Sequence, residues 1–501
     1  MASPRKKSAV ATTSRARLAS VIKSARDTMR KDAGLNGDLD RLPQLSWLLF
    51  LKAFDQRVEQ VGPLLDPDYR LAIDAPYRWQ DWAANPDFSG AELKAFVNDK
   101  LIPYLAELKG AEGDADDPRN VLSTIFKDVT NRMQSGTLLR DLVNLVDEIH
   151  FDSSDDIHTM AFLYESILKE MRDAAGDSGE FYTPRPVNRF MVQQSFLELG
   201  ESILDPACGT GGFLVQAYED LVQRVETDTQ RRRLHNDLRG IEKKSLPYLL
   251  ASMNLLLHGI GAPRLVRENA LLQMRDATAA DRVDVVLTNP PFGGEEERSV
   301  VERFPKGYQT QETSWLFLRA ILDQLKPGGR CAIVLPNGSL FANGENSIGA
   351  RIKKKLMQDC NLHTIVRLPQ GVFAPYTQIP SNLLFFEKGQ STEEVWFYEI
   401  APPDGRRGYS KTKPMQVEEF EPCVEWWGGV KREGRVDGGN AWMVSAVEVE
   451  KSGFNLDFSN PHDGEELAHR SPDEIVTELI KVEDEIRGLL EEVLDQLKGR
   501  V

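Results

Sequence analysis

The sequence predicts an α/β protein: a seven-stranded, doubly wound sheet with an α-helical N-terminal domain before it and a C-terminal coiled-coil helix after it. Three observations carry this. Up to about residue 171, apolar residues recur at spacings of three and four; beyond Gly176, short apolar runs alternate with helix-length amphipathic segments; after residue 470, an acidic stretch carries a narrow apolar seam. The expected divisions are a disordered basic arm over 1–15, the helical domain over 16–171, the sheet domain over 172–400, an irregular extension over 401–470 and a partner-binding coiled-coil helix over 471–501.

At 501 residues, 41% hydrophobic and 28% charged, the chain has the composition of a soluble protein of two or three domains. No apolar run approaches the ~20 residues that span a bilayer, and the longest, Leu246 to His258, is interrupted by Pro247. No membrane association is expected. Cys208, Cys331, Cys360 and Cys423 are far apart, which indicates neither a disulfide framework nor a metal site and fits a reducing cytoplasm. A net charge of −16 argues against a broad, unaided grip on nucleic acid, so if DNA is the substrate a partner supplies much of the binding. The first 31 residues are the exception, with nine Lys or Arg against Asp27 alone. A basic arm leading into a helix explains them; an organelle transit peptide has a similar composition.

The elements follow in order. "LSWLLFLKAFDQRVEQV", "ELKAFVNDKLIPYLAELKG" and "LLRDLVNLVDEIH" are helices with one apolar face. The strand runs are "SILDPA", "RGIEK", "PRLVREN", "VDVVLTN", "RCAIVLPN", "HTIVRL" and "NLLFFEK". Helices are predicted near Phe213–Val225, Leu246–His258, Thr313–Leu325 and Ile348–Gln358. Alternation of this kind gives a mostly parallel sheet, and the late hairpin-like pair suggests one antiparallel edge strand. Over 401–470 only Trp426, Trp427 and Trp442 stand out, as anchors. From Ser471, a capping-box start with Pro472 at the first turn and Glu474 at the third position opens the last helix, whose Ile475, Leu479, Val482, Ile486, Leu489 and Val493 recur in steps of four and three. That seam suits a partner helix, or the helix's own domain.

In a doubly wound sheet the ligand sits beyond the carboxyl ends of the strands, and the unusual residues cluster there. "DPACGTGG" ends the first strand in a carboxylate, Asp205, and a turn whose glycines permit positive φ and bare backbone against a ligand; its G-T-G-G order is not the dinucleotide fingerprint. Glu242 ends the second strand, where an acid can accept both hydroxyls of a ribose. It lies 30 residues beyond Gly212, and the polar stretch Glu226–Asp237 accounts for the excess as a longer helix or loop. The third strand ends at Glu268 and Asn269. The fourth ends in Asn289, Pro290, Pro291 and Phe292, two prolines where one would stop the ladder, so the carbonyls before them are held in set directions. Upstream, "GEFYTPRPV" is a helix-entry loop with two aromatics and a threonine. Each feature alone is compatible with an ordinary turn, cap or strand terminator.

Together they form a series, and with "DPACGTGGFL" and "NPPF" in that order the sequence resembles the N6-adenine DNA methyltransferases, and among them the modification subunits of type I restriction-modification systems. The resemblance runs over most of the chain, to "NLDFSN" near Asn455. It implies S-adenosylmethionine as methyl donor and a bacterial or archaeal cytoplasm. It also implies that the loop of Glu180, Phe181, Tyr182, Thr183, Pro184 and Arg185 lines the methionine end of the cofactor. The turn of Asp205, Ala207, Gly209, Thr210, Gly211 and Gly212 would wrap the amino acid part, and Glu242 would hold the ribose. Asn269 stands where such enzymes often have an aspartate facing the cofactor adenine.

On this reading the opening of the fourth loop has a purpose. The adenine amino group is a poor nucleophile; acceptors on both its N–H bonds, the Asn289 side-chain oxygen and the Pro290 carbonyl, favour a nitrogen with a localised lone pair, and Phe292 offers a stacking face for a flipped base. Cytosine N4 is the alternative target, and a protein or RNA amide the more distant one. A scaffold that has lost catalysis would not need Asn289, Asp205 and Glu242. Only about 80 residues separate Gly389 from the last helix, too few for an autonomous DNA reader. The expectation is therefore double-stranded DNA read by a separate specificity subunit, with two modification subunits per specificity subunit and a restriction subunit for cleavage; a stand-alone adenine methyltransferase is the alternative.

Overall fold

The computed structural model describes residues 15–60, 70–111, 117–151, 183–341, 344, 347–374, 377–406, 408–410 and 412–462. The basic arm, Glu180, Phe181, Tyr182, the boundary near 171 and the coiled-coil helix lie outside the described residues.

The N-terminal region is helical, with α1 (Arg15–Arg30), α2 (Asp38–Phe54), α3 (Gly90–Phe96), α4 (Ile102–Glu107), α5 (Pro118–Phe126) and α6 (Gly136–Asp147). Asp117 and Ser135 cap α5 and α6 by accepting from the backbone N–H of Arg119 and Leu138. Their apolar faces meet around Trp47, Phe50, Phe54 and Leu139. The first turn of α6 lies against the start of α3 so closely that a Cβ on Gly136 would fall 1.8 Å from the Gly90 carbonyl oxygen. Both partners are backbone and cannot swing away. Gly136→Ala is therefore expected to destabilise this region by ~3 kcal/mol, seen as an earlier thermal unfolding transition; an unchanged transition would mean that the α3–α6 contact is slack.

The sheet region continues with α7 (Arg185–Gln194), β1 (Ile203–Asp205), α8 (Gly212–Val222), α9 (Asp228–Asp237), β2 (Leu238–Ile241), α10 (Ser245–Leu257), β3 (Arg264–Val266), α11 (Ala270–Asp276) and β4 (Val283–Thr288). Then come α12 (Thr313–Gln324), β5 (Leu325–Pro336), α13 (Ile348–Asp359), β6 (Cys360–Leu368), β7 (Ser381–Lys388), β8 (Glu394–Glu399), α14 (Glu421–Trp426), β9 (Ala441–Ser445) and α15 (Ala446–Lys451). The polar stretch after Gly212 is the helix α9, opened by a reciprocal Thr227–Gln230 capping box.

The sheet has nine strands, not seven, in the order β3-β2-β1-β4-β5-β7-β6-β8-β9. β1 to β5 are parallel; β7 is antiparallel to both β5 and β6. The antiparallel strand of the late pair, β7, is thus interior rather than an edge. Its run Leu383–Phe386 is buried throughout, as an interior strand covered on both faces must be. The additional strands are β8, which pairs parallel with β6, and β9, which closes the sheet antiparallel to β8 and comes from the segment expected to be irregular. Trp442 on β9 stacks on Phe397 at 5.3 Å, and Trp427 meets Phe385 edge-on at 4.9 Å. Trp426 is only partly buried, with the Arg435 guanidinium 4.5 Å from its ring.

The helix α10 joins the two regions. Tyr248, Leu249, Met253 and Leu256 belong to the core of the helical region, whereas Ala251 and Leu255 belong to one face of the sheet. A helix with a core on each side is apolar all round. That explains why Leu246 to His258 is the longest apolar run. None of the described helices is long and apolar enough to cross a membrane.

Candidate active site

Chain order and sheet order place a crevice before any side chain is considered. From β1 the chain crosses to β2 on one side, and β4 lies on the other, so the carboxyl ends of β1 and β4 flank the switch point. Leu204 pairs with Val286 and Asp205 with Gly240. The three acidic and amide residues read as strand ends, Asp205, Glu242 and Asn289, therefore come together at one edge of adjacent strands.

Beyond β1 the chain turns sharply. Gly209 and Gly211 have φ of 52° and 79°, values that glycine adopts without strain. The Gly211 N–H donates to the Cys208 carbonyl at 2.7 Å, and Gly211 is the N-cap of α8. A Cβ on Gly212 would lie 2.5 Å from Asn188 Nδ2. The turn is thereby kept as bare backbone. It is also held from outside: Asn254, a polar residue inside the apolar run of α10, donates its Nδ2 to the Thr210 carbonyl at 3.1 Å.

Two carboxyl groups are buried beside this turn. Asp205 Oδ1 accepts from the Ala207 N–H at 3.1 Å; burial, with the nearby Glu242 charge in the same sense, pushes its pKa from the usual 3.8 up to about 7. Glu242 accepts at one oxygen from the Gly209 N–H at 2.9 Å and at the other from the Lys244 N–H at 2.8 Å. Its pKa is raised by burial, against the pull of those two donors. Each Glu242 oxygen keeps a further lone pair for a hydroxyl. Glu242 thus ties the glycine turn to the end of β2 while remaining able to accept.

At the end of β4, Asn289 donates its Nδ2 to Thr183 Oγ1 at 3.0 Å, while its Oδ1 is buried without a hydrogen-bond partner among the described residues. A buried, unpaired carbonyl is costly unless a ligand is to fill it. Pro290 is buried, Pro291 half-buried, and Phe292 packs edge-on against Phe373 of the β6–β7 loop at 5.4 Å, leaving part of its ring accessible. Gly293 and Gly294, both with positive φ, turn the chain away immediately afterwards.

The remaining expected residues are placed less uniformly. Pro184 is the N-cap of α7, its carbonyl accepting from Val187 and Asn188, and Arg185 is exposed at the first position of that helix. Asn269 sits at the same sheet edge, but its Oδ1 accepts from the Leu271 N–H as the cap of α11 and its Nδ2 donates to Glu296 at 3.2 Å. Its amide is already engaged on both sides. A cavity of about 610 Å³ lies elsewhere, between β2, β3, α5 and α11, and of the residues read at the strand ends only Glu268 lines it. Asn188 and Asn254 were not expected at the site. A lone Asn within an apolar helix was the signal for Asn254; Asn188 gave none beyond helix initiation.

The sequence and the fold also have known relatives. A family model described as N-6 DNA Methylase matches residues 155–470, and one described as the HsdM N-terminal domain matches residues 18–146. The chain is 47% identical over 484 residues to the type I restriction enzyme EcoEI methylase subunit of Escherichia coli, covering 96% of this chain and 97% of that one. Among solved structures it is similar to a modification subunit of a putative type I restriction enzyme from Vibrio vulnificus YJ016, with 48% identity, a TM-score of 0.82 and coverage of 92% and 100% of the two chains. A chain from a structure addressing complex assembly and conformational transition of the type I R-M system matches at 38% identity and a TM-score of 0.77, over 98% of this chain and 100% of that chain.

Proposed function

Because the chain belongs to the N-6 DNA methylase family, we propose that its strand-end crevice transfers a methyl group to the N6 amino group of adenine in double-stranded DNA, as the modification subunit of a type I restriction-modification complex. The observation that carries this is the Asn289 amide: its nitrogen is occupied by Thr183 and its buried oxygen is left without a partner among the described residues. An exocyclic amine entering beside Phe292 supplies the missing N–H. The Pro290 carbonyl, fixed by the proline that follows, accepts the second. With both N–H bonds engaged, the nitrogen lone pair is directed out of the ring plane, and holding it there contributes most of the acceleration. The base reaches this pocket only by leaving the duplex, and the Phe292 ring provides the face on which it stacks.

The donor fits the residues present. S-adenosylmethionine, when bound, supplies an electrophilic methyl group on a sulfonium sulfur. Glu242 has free acceptor capacity for ribose hydroxyls, and the bare turn from Asp205 through Ala207, Gly209, Thr210 and Gly211 to Gly212 suits the amino acid moiety. The entry to α7, Thr183 by its backbone together with Pro184 and Arg185, would close the methionine end, and Asn269 would border the adenine side; Glu180, Phe181 and Tyr182, which the resemblance also assigns to the methionine end, lie outside the described residues. The double-stranded target would be read by a specificity subunit, two modification subunits to each, with a restriction subunit completing the assembly; a net charge of −16 favours such delegation.

Asp205 makes cofactor affinity depend on pH. With its pKa raised to about 7, the folded, unliganded protein holds a proton that the unfolded chain releases near 3.8, so stability without ligand falls as pH rises between those values. A cationic ligand group favours the carboxylate and expels that proton. Affinity for S-adenosylmethionine is therefore expected to rise up to tenfold per pH unit below about 7 and to level off above it. Calorimetry in buffers of different ionisation enthalpy should register proton release near pH 6; release of none would contradict this role for Asp205.

The function itself is tested by nucleoside mass spectrometry of DNA from a methylation-free host making this chain alone, then with its specificity partner. N6-methyladenine is expected only with the partner. Its appearance from the chain alone would overturn the need for a partner, and N4-methylcytosine, or no methylated base at all, would overturn the assigned reaction.

A further inference from the structure

We propose that Thr183 is a positioning residue for the base-facing amide: its hydroxyl holds the Asn289 side chain by its nitrogen end, with the oxygen end toward the substrate. This rests on the reading of Asn289 as the acceptor for the target amine. An asparagine amide has two orientations of nearly equal shape, which exchange an acceptor oxygen for a donor NH2. Only one is productive here. With the oxygen toward the base, an acceptor meets an N–H bond; with the nitrogen toward the base, donor meets donor. Thr183 Oγ1 accepts from Asn289 Nδ2 at 3.0 Å, across 106 positions of sequence, and so leaves the oxygen to the crevice. The hydroxyl oxygen gives the nitrogen a partner before and after the base arrives.

Thr183 is itself held. Asn188 Nδ2 donates to the Thr183 carbonyl at 3.4 Å, and the same amide nitrogen occupies the space that a Cβ on Gly212 would need. Asn188 is buried at the start of α7. A continuous set of contacts therefore runs from the glycine turn through Asn188 and Thr183 to Asn289. The threonine read as a lining of the cofactor pocket spends its hydroxyl on the amide instead.

Thr183→Val keeps the shape and removes the hydroxyl; Thr183→Ser keeps the hydroxyl. In the complex with the specificity subunit, single-turnover methylation at saturating cofactor and DNA is expected to slow about tenfold in the valine variant and to recover to at least half the parental rate in the serine variant. Cofactor Kd and DNA KM should move less than threefold in both. An unchanged rate in Thr183→Val would overturn the proposal, as would a serine variant as slow as the valine one, or a cofactor Kd that weakens in step with the rate. These outcomes are separable from failure of the underlying reading, which Asn289→Ala tests: full activity there removes the amide from catalysis altogether.

Discussion

Asn289→Ala is expected to lower the rate of methyl transfer by about 10²–10³-fold or more, with binding of S-adenosylmethionine nearly unaffected. Removing one pre-positioned hydrogen-bonding group that acts on developing charge typically costs this much. Here the loss is compounded, because the amide oxygen polarises the same nitrogen that the Pro290 carbonyl polarises, and one acceptor alone leaves the lone pair partly conjugated with the ring. Stability should not fall in parallel. The side chain's oxygen has no partner among the described residues, so truncation there forfeits only the bond from Nδ2 to Thr183. Methylation kinetics, cofactor calorimetry and a thermal melt on the same preparation separate these terms. A variant that melts normally, binds cofactor and still methylates at the parental rate would dispose of Asn289 as the base-activating group.

The same residue shows what was legible in the sequence. Asp205, Glu242 and Asn289 were readable because each is a polar residue ending an apolar run, and parallel strands alternating with helices put such ends at one sheet edge. The partner of Asn289 was not. Thr183 stands in a proline-rich entry to α7, and nothing local to either position indicates a bond between them. For the fold, β1 and β4 to β7 showed as apolar runs because both faces of the sheet are covered there, whereas β2 and the half-buried β3 showed only as short runs flanked by charge. The position of β7 between β5 and β6 was not legible: periodicity identifies a strand and says little about its neighbours. β8, "EVWFYE", has the aromatic and β-branched content of a strand but only four such residues, set between two glutamates, and β9 is five residues placed after a Gly- and Pro-rich excursion. Both gain their pairing partners only from tertiary context.

Glu242→Ala is expected to weaken binding of S-adenosylmethionine at least about a hundredfold, or ~2.7 kcal/mol. Two losses add. The ribose hydroxyls lose their acceptor, and the Gly209 N–H, buried under the carboxylate, is left unsatisfied, while the part-buried Lys244 N–H can turn to water. Each unsatisfied donor costs ~1–3 kcal/mol, and the Gly209 amide belongs to the turn that must lie against the ligand, so the cradle relaxes as the anchor goes. Glu242→Gln distinguishes the two effects. A glutamine retains one oxygen for a backbone donor but sets an NH2 against the other, so it should bind cofactor worse than the parent and better than the alanine variant. At saturating cofactor both variants should methylate at a rate close to the parental one, since Glu242 touches neither the amine nor the transferred methyl on this reading. A large fall in the saturated rate with little change in Kd would move Glu242 from cofactor binding to the chemical step, and would require the ribose to be held elsewhere on the sheet edge.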